Sequence, residues 1–114
     1  MSVNDIKKYL FDIKDGIEAI EIVKLQLPDY DSFISNRILR SSVERELILI
    51  GEVAAKILKE FPNVSITHIL KIKDTRNIIV HDYDGVNYKI IWNIIQVHLI
   101  SLKIQVEDLL NKED

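Results

Sequence analysis

The residues of this chain best equipped for chemistry fall together in one run, Arg76-Asn77-Ile78-Ile79-Val80-His81-Asp82-Tyr83. Cutting RNA without a metal requires a group to take the 2′-hydroxyl proton and another to protonate the leaving oxygen. It also requires positive charge on the phosphate as it becomes pentavalent. Histidine can serve both proton-transfer roles, because its unperturbed pKa of about 6.5 lies close to working pH. Arginine supplies the third, since its always-charged guanidinium matches phosphate oxygens as a fork. On a helix, Asn77 and His81 are four residues apart and share a face, and the long Arg76 side chain can swing round to join them. One Arg and one His make half a site. A two-fold homodimer would supply two of each and double the local positive charge. The plainer alternative is a surface His81, with Arg76 pairing to Asp74 or Asp82 on a solvated face.

The elements that must position these residues read as helices. From Asn4 to Gln26, apolar residues at Ile6, Leu10, Ile13, Ile17 and Ile20 trace one amphipathic stripe, which Leu27-Pro28-Asp29 brings to an end. A second long helix capped by Asp29 or Asp31 carries Ile34, Ile38, Val43, Leu47, Ile50, Ala54 and Ile57 to a stop at Phe61-Pro62. Its uneven steps between Arg40 and Val43 allow a bend or break there. A third, opening at Ser65, runs through Ile66, Ile69, Leu70 and Ile72 to His81, with Asp84-Gly85 marking its end. Asn87 then caps a fourth, with Ile90, Ile91, Ile94, Ile95, Leu99, Leu102, Val106 and Leu109 facing inward. The spacing follows 3.6 rather than 2. The expected fold is therefore all-α, an antiparallel up-and-down bundle of four to five helices in a single domain over 1–114.

Composition narrows the function classes. The chain has 114 residues, 47% hydrophobic and 29% charged, which suits one globular domain. Without cysteine there are no disulfides, thiolate metal sites or cysteine nucleophile. The first residues lack the pattern of a signal peptide, and no apolar run is long enough to span a membrane, so a cytoplasmic location is expected. A net charge of −3 argues against bulk electrostatic capture of nucleic acid; contact with RNA has to be local, through a few well-placed cations.

Arg-Asn, three apolar residues, His, any residue, Tyr resembles the signature of HEPN domains, and specifically of the HepT-like toxins of toxin–antitoxin pairs. Ile50-Gly51-Glu52-Val53-Ala54-Ala55-Lys56 is similar to the Ile-Gly-Glu-Ala-Ala run on that family's second long helix. Gly85-Val86 followed by Ile90-Ile91-Trp92 resembles the Gly-Val and later Val-Trp beyond the motif. The three matches come in order and cover essentially the whole chain. The departures are a polar lead-in at Lys71–Thr75 and Ile69 where an aromatic is usual.

The resemblance implies a helical bundle whose dimerisation sets two motifs across a cleft. It also implies Arg76 and His81 as the catalytic pair, Asn77 as a supporting polar residue, and tRNA or mRNA as substrate. Tyr83 falls where the family carries the tyrosine to which a partner nucleotidyltransferase antitoxin transfers AMP; Tyr88 is the next candidate. A bulky anionic nucleotide there would block RNA and neutralise the arginines. The plain reading of Tyr83 is an aromatic covering apolar surface at a helix end. No cofactor or metal is expected. The chain also lacks a Gly-rich phosphate loop and a Gly-Ser pair followed by spaced aspartates, so it is not itself the nucleotidyltransferase. The competing readings are a non-catalytic HEPN module that binds a nucleotide or scaffolds the transferase, and a helical interaction protein with a coincidental motif.

Other residues carry weaker signals. Gly51 suits close helix packing. Glu52 is either a buried partner for the motif or a solvated side chain. Arg37, Arg40 and Arg45 are spread along the second helix, with Arg40 and Glu44 spaced as a surface pair and Arg45 able to add charge to the cleft. His68 and His98 stand isolated in sequence, and Trp92 suits a core or dimer contact better than base stacking.

Overall fold

The structure, a computed structural model, describes residues 3–63, 67–81 and 86–112, with the side chains of 3–5, 67, 78 and 81 outside that description. In order come α1 (Val3–Lys24), α2 (Tyr30–Ser35), α3 (Arg37–Glu60), α4 (Thr67–His81), α5 (Tyr88–Asn93), a π-helical turn (Ile94–His98) and α6 (Leu99–Asn111). The described residues form no strand. The expected Ser65 cap and the Asp84-Gly85 stop lie outside the described residues.

The long helices alternate in direction. Tyr9 donates to Glu60 while Gly16 meets Ile50, so α1 and α3 are antiparallel. Gly51 meets Arg76 while Ile48 shares a groove with Ile79, so α3 and α4 are antiparallel too. Lys14 pairs with Glu107 and Lys103 with Glu21 and Glu18, which runs α6 back along α1. These partly exposed pairs contribute little, about 0–1 kcal/mol each. The up-and-down bundle is held by its core: Leu10, Ile13, Ile17 and Ile20 of α1 interleave with Val43, Leu47, Ile50 and Ile57 of α3 and Leu99, Leu102 and Val106 of α6. Each such side chain contributes about 1.5–3 kcal/mol by leaving water.

The break in the second helical stretch lies at Asn36, not between Arg40 and Val43. Asp29 caps α2 through a reciprocal capping box with Ser32, and Asn36 then accepts from the backbone N–H of Leu39 to start α3. An Asn side chain bonded to its own backbone ends one helix and begins the next in a single residue. The rotation it introduces leaves Ile38 exposed, against the expected stripe. Phe33 of α2 is fully buried and packs on Trp92 at 5.2 Å and Tyr88 at 6.1 Å, docking α2 on α5. Trp92 is therefore half-buried against the intramolecular core.

The fourth stretch begins at the expected Asn87 cap, whose side chain accepts from Lys89 and Ile90, but the π-helical turn interrupts it. One extra residue per turn shifts the buried face. Ile90 is consequently exposed, while Ile91, Ile94, Ile95 and Leu99 face the core. Lys24 Nζ donates to the Ile95 carbonyl at 2.9 Å and ties the end of α1 to this turn.

Candidate active site

Arg76 is positioned by a glycine. A Cβ built at Gly51 would lie 2.2 Å from Arg76 Cβ and 2.8 Å from its Cγ, so α3 and α4 approach at a distance only glycine permits. The expectation that Gly51 serves close packing thus acquires a specific object, the base of the Arg76 side chain. Next along, Arg76 Nη1 donates to Asn77 Oδ1 at 2.8 Å, which fixes the plane of the guanidinium. Arg76 Nε is buried, and no group among the described residues accepts from it. Buried donors without an acceptor are costly and uncommon. A half-buried, always-charged guanidinium is chemically suited to anionic oxygen, and to phosphate above all.

His81 is the last residue of α4, and the helical register places position 81 on the face of Asn77. Its side chain and all of Tyr83 lie outside the described residues. The segment between Asn77 and His81 is anchored by Ile79, buried in the core, while Val80 is exposed. Thr75 is also buried and returns its hydroxyl to the Lys71 carbonyl at 3.0 Å. Within the polar lead-in, Thr75 thus satisfies its hydroxyl inside α4.

Opposite this end of α4, the first half of α3 carries charge. Arg40 and Glu44 are not the solvated pair that their spacing suggests. Both are half-buried, and Arg40 donates to the Ile34 carbonyl and stacks over Tyr88, 5.0 Å from the ring centroid. Burial raises the Glu44 carboxyl above its ordinary value of 4.5, against the Arg40 charge and a hydrogen bond from Tyr88 that both lower it. Tyr88 is thus engaged by Phe33, Arg40 and Glu44 together. Arg37 and Arg45 are exposed. Glu52 is exposed as well, so it is not a buried partner of the motif. A groove of about 370 Å³ between the helices is lined by Ser41, Glu44, Arg45, Ile48, Leu49 and Ile79.

Sequence reasoning missed a second pairing. His68 and His98, far apart in the chain, meet with ring centroids 5.1 Å apart and planes tilted by 58°, and His98 Nε2 donates to the His68 carbonyl at 3.3 Å. His98 is only 8% exposed. Burial lowers its pKa from 6.5, opposed by the bond to the His68 carbonyl and assisted by the Lys71 and His68 charges. No group of three potential metal-ligating side chains occurs among the described residues, and none of their helices is long and apolar enough to cross a membrane.

Comparison with known proteins places the chain among ribonucleases. "Putative RNase MJ1380" of Methanocaldococcus jannaschii is 35% identical over 94% of this chain and 98% of its own length. "Putative RNase TTE0752" of Caldanaerobacter subterraneus is 34% identical over 74% of this chain and 76% of its own. "Probable ribonuclease HepT" of Thermococcus cleftensis is 28% identical over 90% of this chain and 94% of its own. No solved structure matches the chain significantly. The model of the HepT-like ribonuclease family matches residues 13–109, which include both Gly51 and the whole Arg76-to-Tyr83 motif, and the chain belongs to that family.

Proposed function

We propose that this protein is a metal-independent endoribonuclease, the toxin of a toxin–antitoxin pair, acting as a homodimer in the cytoplasm. The observation that carries the reading is the Arg76 guanidinium, seated against Gly51 and oriented by Asn77, five residues before a histidine at the end of the same helix. The family and the names of the relatives support RNA as the substrate. In the reaction, one His81 takes the 2′-hydroxyl proton as that oxygen attacks the neighbouring phosphorus. The P–O5′ bond breaks, and the second protomer's His81 protonates the departing oxygen. The two Arg76 side chains hold the charge that builds on the pentavalent phosphate. Exposed apolar side chains next to the motif, Val80 on α4 and Leu49 in the groove beside Ile79, favour a face that pairs with its copy.

Silencing follows the same electrostatics. A nucleotidyltransferase antitoxin transfers AMP to Tyr83, placing an anion beside the arginines. Tyr88, already engaged with Phe33, Arg40 and Glu44, is the poorer acceptor.

The test is expression of wild type, Arg76→Ala and His81→Ala. Both variants relieve growth arrest and lose RNA cleavage while remaining folded dimers, and wild-type cleavage persists in EDTA. Cleavage at the wild-type rate by His81→Ala overturns the assignment. Mass spectrometry after incubation with ATP and the partner finds AMP on Tyr83; undiminished labelling of Tyr83→Phe moves the site to Tyr88.

A further inference from the structure

A protein with a net charge of −3 that cuts RNA must hold its substrate through a local cluster of cations. Arg37, Ser41 and Arg45 are four residues apart in turn on α3 and so share one face of it. Arg37 and Arg45 are exposed, and neither has an ion-pair or hydrogen-bond partner among the described residues. They line, with Ser35, Asn36, Ile38, Ser41 and Ser42, an open groove of about 850 Å³ in which no acidic side chain takes part among the described residues. Three serine hydroxyls there can accept or donate at phosphate and ribose oxygens. The N-terminus of α3 opens at the same place, with no acidic residue in its first turn, and its dipole adds to the positive potential.

The register connects this groove to the catalytic motif. Gly51 lies opposite Arg76 and Ile48 beside Ile79, so moving outward along α3 to Arg45 reaches the level of the end of α4, where His81 sits. Ser41 and Arg45 are shared between the large groove and the smaller one that touches Ile79. Arg37 lies two helical turns beyond Arg45, about 12 Å further out. That span covers two phosphate steps of an extended strand.

We infer that the Arg37–Ser41–Arg45 face of α3 is a track for the backbone of single-stranded RNA flanking the cleaved bond, with Arg45 next to the cut and Arg37 further along the strand. The inference rests on the nuclease reading and assigns it a substrate form: a single strand longer than the bond being broken, gripped through phosphates and not through base edges. The contacts therefore add affinity with little sequence preference.

The experiment uses the full-length protein and a single-stranded oligoribonucleotide made uncleavable by 2′-O-methylation. Fluorescence anisotropy follows binding from low to moderate salt. For Arg37→Gln/Arg45→Gln, Kd rises about tenfold at low salt, and the plot of log K against log salt becomes shallower by about 1.4, two phosphates at about 0.7 each. Arg37→Lys/Arg45→Lys, which keeps the charge, retains most of the wild-type slope. KM for a cleavable RNA rises in parallel with Kd in the glutamine variant. An unchanged slope and Kd in that variant overturns the track while wild-type cleavage leaves the nuclease reading standing. If wild type neither binds nor cuts RNA, the nuclease reading itself fails. Relief from the antitoxin without any change in RNA binding would assign the face to a protein partner and overturn the track.

Discussion

At the scale of single residues, Gly51 and Arg76 form a mechanical unit. Replacing a helical glycine by alanine ordinarily stabilises by about 1 kcal/mol. Here the new Cβ would stand 2.2 Å from Arg76 Cβ, close to the main chain, where no rotamer change can relieve it. Gly51→Ala is expected to destabilise the fold by about 1–3 kcal/mol, read from urea unfolding, and to lower RNA cleavage more steeply than stability. A stabilised Gly51→Ala protein would mean that α3 and α4 are not held at this contact. Arg76→Lys keeps the charge but loses the fork that Asn77 orients. Its kcat for RNA is expected to fall by about 10²–10³, with KM little changed, in single-turnover assays.

At the scale of elements, the π-helical turn decides which groups are buried. It carries His98 into contact with His68 and into the core. Burial lowers the folded pKa of His98 below 6.5, so the unfolded chain takes up this proton first as pH drops. Its contribution to stability is complete above pH 6.5 and is lost progressively as pH falls from there towards the lowered folded value. His98→Gln should flatten the decline in Tm over that window, measured by thermal melts at stepped pH. Glu44, raised above its ordinary value, acts in the opposite sense, adding stability as pH falls from the raised value towards 4.5. The helices themselves, their Asp29 and Asn87 caps and the motif on α4 were legible because each is written in local spacing. The break at Asn36 was not, because an apolar period continuing through Ile34 and Ile38 masks one capping side chain. Neither was the π turn, since a single extra residue in a run rich in isoleucine leaves no mark in composition. The histidine pair depends on that turn and on α4 and α6 meeting, so nothing near either residue in sequence announces it.

At the scale of the whole molecule, the active unit is proposed to be two chains. Specific cleavage activity should then fall on dilution below the dimer dissociation constant, in step with the dimer fraction from analytical ultracentrifugation. Activity that stays proportional to chain concentration while the protein becomes monomeric would confine the reaction to one subunit. Substitution of the exposed Val80 or Leu49 by Asp tests the face, shifting the equilibrium to monomer and lowering activity together.

The tight seat beneath Arg76 also has a genetic consequence. Every glycine codon begins with two guanines, and any single-base change in either position brings in an amino acid with a side chain or a stop. No conservative escape exists at codon 51. Colonies that survive induction of this gene should therefore carry lesions there about as often as at codons 76 and 81, because a side chain at position 51 displaces Arg76.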